Sequence, residues 1–343
     1  VRIATGLSTR LAILLIALLL VTCTDRRVEP PAEEADLVVY SSHPADLIKT
    51  VLDEFRERTG LRVRVVADGT GALLARLRRD GGRGADVLWG GGAESLVANI
   101  DLFAAYQSTE RSAIPSGLRD AQGYWTGFTV LPMVIIVNSR LVAAGHTPRR
   151  WSDLADPALA GSVAFADPAS SGSSYTILRT MLMAAGASKN PERAWSLING
   201  FVTSIGGTPL AESALVYRSV AAGEYLVGAT YENAGADAQR LGSDVRIVYP
   251  ADGTSAVPDG VAILKERAHD EAARRFVDFV LGPDVARVVS ARFKRRSART
   301  DAPVPEGLRS LDSIPLLDYD FNAAVQERDS TIQRFAALVS AHR

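Results

Sequence analysis

The chain has 343 residues, of which 47% are apolar and 22% charged, with a formal net charge of −1. That apolar share can bury sizeable cores and excludes a disordered chain, while the near-neutral charge excludes a general electrostatic nucleic-acid binder. The length suits one large or two modest domains.

Residues 11–21 read LAILLIALLLV, with Arg2 and Arg10 ahead and Thr22-Cys23 behind. A basic start, a short apolar run and small residues at a cut describe a secretory signal peptide, expected over residues 1–22. A membrane span needs about 20 apolar residues, so this run is too short to remain as one. Removing it takes Arg2 and Arg10 from the 38 basic residues and leaves 36 against 39 acidic, a net charge of −3. Cys23 is the one cysteine, so no intramolecular disulfide is expected. Leu20-Val21-Thr22-Cys23 resembles a bacterial lipobox, which implies a lipidated Cys23; two acyl chains suffice for stable anchoring. Residues 23–36, polar and carrying Pro30-Pro31, read as a tether from lipid to domain.

The ordered elements begin with a short buried strand at 37–40, broken by Ser41-Ser42-His43-Pro44. Leu47, Ile48, Val51, Leu52 and Phe55 recur at helical spacing up to Gly60. LRVRVV at 61–66 alternates as a strand, Asp68-Gly69-Thr70-Gly71 is a turn, and a helix follows through Leu73, Leu74 and Leu77. A third strand, 86–89, ends in Gly90-Gly91-Gly92. Strands alternating with helices over short connections predict a parallel sheet covered by helices, an α/β fold. Further strands are expected at 129–138, 161–166, 226–230, 245–249 and 260–264. Helices are expected at 175–185, 191–201, 215–222, 266–281, 283–292 and 322–341.

The search for catalysis yields little. There is no P-loop ending and no G-x-S-x-G elbow, and the four histidines form no metal-ligand spacing. No enzyme, no cofactor and no resident metal are expected. What recurs is a small polar turn directly after a strand: Ser41-Ser42-His43, Gly69-Thr70-Gly71, Gly90-Gly91-Gly92, and Ser170-Ser171-Gly172-Ser173-Ser174. Ligands of open α/β sheets sit beyond the carboxyl ends of the strands. The helices that follow such turns offer unpaired N–H groups to an anion. The serine run exceeds what one helix cap needs, and it is expected to precede a helix starting near Tyr175.

The segments LVVYSSHP, DEFRERTGLRVRVVADGTGALLARL, ADVLWGGGAESL, GFTVLPMVIIVNSRLV with PRRWSDLADPALAGSVAFADPASSGSSYT, SVAAGEYLVGATYENA and GVAILKERAHDEAARRFVDFVLGPDVA carry a family resemblance over roughly residues 37–300. The chain resembles the periplasmic or extracellular substrate-binding proteins of ABC importers, in the subgroup that binds ferric iron or phosphorylated solutes such as sugar phosphates, phosphoglycerates and aminoalkylphosphonates. The resemblance implies a two-lobed periplasmic-binding-protein fold with hinge strands between the lobes. Lobe one would comprise 37–130 plus 258–310, and lobe two 136–250. The segment 311–343 would carry a helix packed on the outside.

It further implies an exported monomer, periplasmic or at the cell surface. Such a protein captures a small anionic solute between its lobes and delivers it to a membrane permease. Ser41, Ser42, His43, Gly69, Thr70, Gly71, Gly90, Gly91, Ser170–Ser174, Tyr231 and Glu232 would form the site. Ferric-ion members use two adjacent tyrosines; here Tyr231 stands between Thr230 and Glu232. The alternative Fe(III) set would be His43, Tyr231, Glu232 and Tyr217, short of one phenolate. A ligand-presenting role toward a sensor kinase is a further alternative, with basic residues 292–296 as a docking surface or simply a solvated helix end.

Overall fold

A computed structural model describes residues 35–342. The expected signal peptide, Cys23 and nearly all of the tether lie outside the described residues.

The chain opens with β1 (Leu37–Ser41), α1 (Ala45–Thr59), β2 (Val63–Ala67), α2 (Thr70–Arg79), β3 (Val87–Gly92), α3 (Ala93–Val97) and β4 (Phe103–Ala104). The long strand β5 (Thr126–Asn138) follows, then β6 (Val163–Ala164), α4 (Gly172–Ala184), α5 (Pro191–Ser204) and α6 (Ser213–Ala222). Next come β7 (Val227–Tyr231), α7 (Glu232–Arg240), β8 (Val245–Val248) and β9 (Ala256–Leu264). The last elements are α8 (Asp270–Val280), α9 (Pro283–Phe293), β10 (Arg296–Ser297), α10 (Phe321–Gln326) and α11 (Arg328–Ala341).

The first three strands pair in parallel, as their short helical connections require. β5 and β9 run antiparallel to each other, and β9 also runs antiparallel to β3. The chain crosses to the second lobe on β5 and returns on β9, so the two crossings oppose. β5 serves both lobes. Its first half, Thr126–Pro132, pairs with β9, and its second half, Met133–Asn138, pairs with β7 and β8. β9 starts at Ala256, four residues before the expected strand, because it pairs across the hinge.

Each lobe has its own core. In the first, Val39, Leu52, Phe55, Trp89 and Phe276 are buried together, with Phe55 edge-on to Phe276. In the second, Ile135, Trp151, Phe165 and Phe201 cover one sheet face, and Val134, Ile136, Val216 and Val220 the other. The continuous apolar run of β5 follows from this burial on both faces. Phe335 and Val339 of α11 enter the second lobe's core. Among the described residues, no helix is long and apolar enough to cross a membrane.

Candidate functional site

A cavity of about 660 Å³ opens between the two lobes. Its wall is built from the first turns of helices. Ser42, His43 and Pro44 lead into α1, Gly69–Ala72 open α2, and Gly91, Gly92, Glu94 and Ser95 open α3. From the second lobe come Ser170–Ser173, Tyr175 and Thr176 at α4, Glu212 and Ser213 at α6, and Tyr231, Asn233 and Ala234 at α7. Helix N-termini expose unpaired N–H groups and partial positive charge, so their convergence makes a field suited to an anion without lysine.

The serine run is organised more tightly than its sequence suggests. α4 begins at Gly172, three residues before the expected start, because Ser171 is its N-cap and accepts a bond from the Ser174 N–H at 3.2 Å. Ser170 Oγ donates to the Ala211 carbonyl, and the Ser171 and Ser173 hydroxyls lie 3.2 Å apart. Ser174 is buried. Gly172 and Ser173 line the cavity at the first turn of α4, where Gly172 is exposed.

Two expected contacts act behind the surface. Ser41 is fully buried and its hydroxyl accepts from the His43 N–H. Gly90 has φ +116, and a Cβ there would lie 2.5 Å from Ser42 Oγ. At Gly91, with φ +92, a Cβ would meet the Thr70 methyl at 2.7 Å. These glycines let three strand ends come together, and Thr70 Oγ1 bonds Ser42 Oγ at 3.0 Å.

Glu232 is a correction. It does not line the cavity; it is 1% exposed and forms a two-bond ion pair with Arg296, at 2.6 and 2.8 Å. Tyr249 donates its hydroxyl to the same carboxylate. Burial and Glu232 together push that hydroxyl above its ordinary range. The partner Arg296 sits on β10, paired to the first half of β5, so the ion pair ties lobe two to lobe one. The basic segment 292–296 is solvated only in part: Arg292 is exposed, while Arg295 and Arg296 are 6% and 5% exposed.

Sequence reasoning expected Glu212 as an acceptor for hydroxyls or an amine, but missed Arg295 as a cavity residue, Arg328, Asn233 and the acids Glu94, Asp237 and Asp259. Arg295 bonds Asp259 at 2.5 Å and Thr129 at 3.1 Å, while its Nε has no partner. His43 lies beside the same carboxylate, Nδ1 3.8 Å from Asp259, and stacks edge-on to Trp89. Burial pushes the His43 imidazole down to about 3, against the opposing pull of Asp259. It is neutral, and its Nε2 is buried without a partner. Asn233 Oδ1 is another buried unpartnered atom. Glu94 accepts from Thr176 at 2.7 Å and from Tyr319 at 2.9 Å, the first of these crossing between lobes. Tyr231 and Tyr217 both line the cavity; burial, then Tyr217, raises the Tyr231 phenol to about 12. Among the described residues, no cluster of three or more His, Cys, Asp or Glu could hold a metal ion.

Two α/β lobes on shared hinge strands enclose a polar cleft, the architecture of a solute-binding protein. The chain belongs to the bacterial extracellular solute-binding proteins, whose family model matches residues 84–324. It is an exported protein that captures a small solute for the membrane permease of an ABC importer. Among solved structures it is similar to the periplasmic binding protein AfuA of Actinobacillus pleuropneumoniae, bound to exogenous fructose 6-phosphate. The TM-score is 0.80 at 24% identity, over 89% of this chain and 98% of that one, a likeness of fold. An uncharacterised protein of Haemophilus influenzae is 26% identical over 88% of this chain and 90% of its own. Iron uptake protein A1 of Synechocystis is 24% identical over 74% and 73%.

Proposed function

We propose that the cleft captures a phosphorylated or phosphonate solute, with its oxyanion at the first turn of α4. One observation carries this reading: helix N-termini from both lobes converge on one cavity, which also receives Arg295 and Arg328. The resemblance to a sugar-phosphate-bound relative supports it. A charge-assisted hydrogen bond contributes about 1.5–3 kcal/mol, so a few N–H and hydroxyl donors at Gly172 and Ser173 suffice for tight capture.

The ferric reading fits less well. Tyr231 and Tyr217 reach the cavity, but Glu232 is committed to Arg296 and His43 faces Asp259. We further propose that the mature chain is held at the membrane through a lipidated Cys23 and works as a monomer.

Calorimetric titration of the full chain tests the solute class. Fructose 6-phosphate, 3-phosphoglycerate and 2-aminoethylphosphonate are set against fructose, glycerate and ferric citrate. At least one of the first three should bind at least tenfold more tightly than every uncharged probe. Tight ferric binding with a visible phenolate band lost in Tyr231→Phe, and no phosphoryl binding, would overturn the proposal.

A further inference from the structure

The C-terminal segment carries a second finding, which rests on the anionic-solute reading above. It breaks into α10 and α11 at Glu327. Four attachments surround that break. Tyr319 donates to Glu94 of the first lobe at 2.9 Å, and Phe321 lies edge-on to Trp125. Tyr175 of α4 donates to the Ala324 carbonyl, and Arg179 of α4 pairs with Glu327. Beyond the break, Phe335 and Val339 anchor α11 in the core of the second lobe.

These attachments place one residue, Arg328, in the cleft wall. Its guanidinium carbon lies 4.6 Å from the centre of the Tyr175 ring, over the first turn of α4. The other arginines of this region are matched: Arg179 by Glu327, Arg334 by Glu192, Arg295 by Asp259. Among the described residues, Arg328 has no carboxylate within ion-pair distance and no hydrogen-bond acceptor. Stacking on Tyr175 occupies one face of the planar group and leaves its N–H edge open. An open guanidinium edge in a wall shared with helix N–H groups matches two oxygens of a phosphoryl group. Two other residues of the same wall, Arg295 and Asn233, carry buried polar atoms without partners, Nε and Oδ1.

We propose that Arg328 binds the phosphoryl group of the solute, and that the C-terminal segment is a third wall of the site. The segment touches both lobes, so ligand held by Arg328 draws it into closure along with them.

The test uses the full chain with Arg328→Ala and Arg328→Lys, titrated with fructose 6-phosphate, 3-phosphoglycerate and inorganic phosphate at two salt concentrations. Arg328→Ala should weaken the phosphorylated probe that the parent binds by tenfold or more and flatten the salt dependence. Arg328→Lys should recover part of the loss, which a merely structural role would not give. Melting temperatures should stay within a few degrees of the parent, because Arg328 is half-buried and outside both cores. A parent that binds phosphoryl probes and an Arg328→Ala variant that binds them equally well would overturn this inference alone. A parent that binds none of the probes would overturn both this inference and the function it rests on.

Discussion

Gly172→Asp separates ligand binding from folding at one position. Gly172 is the first residue of α4, exposed to the cleft, and a Cβ there meets nothing within 4 Å. The backbone is helical, so no strain opposes the change. A carboxylate at a helix N-terminus stabilises by about 0.3–1 kcal/mol, and replacing glycine in a helix removes an entropic cost of similar size. The variant should therefore melt at the parental temperature or slightly above it. For the ligand the sign reverses. A carboxylate about 4 Å from a unit negative charge costs about 4 kcal/mol at an effective dielectric of 20, close to a thousandfold in affinity. Gly172→Ala fills the same open space without charge and should bind within about threefold of the parent, a difference of roughly 0.7 kcal/mol. Calorimetry with the phosphorylated probe that the parent binds, beside thermal unfolding, reads both quantities. Undiminished binding by a well-folded Gly172→Asp variant would refute the placement of the oxyanion at α4.

Glu232→Gln should act on stability rather than affinity. Breaking a buried pair costs about 3–5 kcal/mol, and the amide retains part of the geometry, so a loss near 3 kcal/mol is expected from denaturant titration. An unchanged midpoint with lost ligand binding would instead return Glu232 to the site. His43 gives a pH signature: its folded value of about 3 lies below its ordinary 6.5. Above 6.5 both states are neutral; below it the unfolded chain takes the proton first, so stability falls by up to about 1.4 kcal/mol per pH unit. Urea unfolding at pH 7 and pH 5 should show this slope in the parent and a flatter one in His43→Asn; equal slopes would remove His43 as the cause. Finally, Cys23→Ser should move the exported protein from the membrane fraction to the soluble one; retention on the membrane would exclude a lipid anchor at that residue.

Most elements were legible because apolar spacing is local: the helix through Leu47, Val51 and Phe55 and the run of β5 carry their burial in their own sequence. The turns after β1, β2 and β3 were legible for the same reason, and they do meet at one cavity. What was not legible depends on partners distant in the chain. Tyr231 and Glu232 are adjacent in sequence, yet at a strand-to-helix junction successive side chains leave in different directions. Tyr231 faces the cavity while Glu232 finds Arg296, 64 residues away. Arg295 and Arg296 divide in the same way, one to Asp259 and one to Glu232. Their basic run looked like a solvated helix end, because sequence shows the charges and not the carboxylates that neutralise them. The periodicity of Val325, Ile332, Phe335 and Leu338 announced the last helix; it could not say which lobe would receive it.

Four acids line a cleft assigned here to an anion, and their arrangement accounts for this. Asp259 is neutralised by Arg295 and also accepts the Thr129 hydroxyl and N–H. Glu94 is spent on Thr176 and Tyr319, which hold the lobes and the C-terminal segment together. Burial raises Asp237 above the usual carboxylate range, and Arg240 pairs with it at 3.3 Å. Glu212 is exposed at the start of α6 and keeps a free carboxylate. The first turn of α4 and Arg328 thus supply donors to the cavity, and Glu212 and Asp237 supply acceptors. A solute suited to both would carry a phosphoryl group together with hydroxyl or amine donors. Plain inorganic phosphate would engage only the donors and bind more weakly, because the acceptors would lose water without gaining a donor.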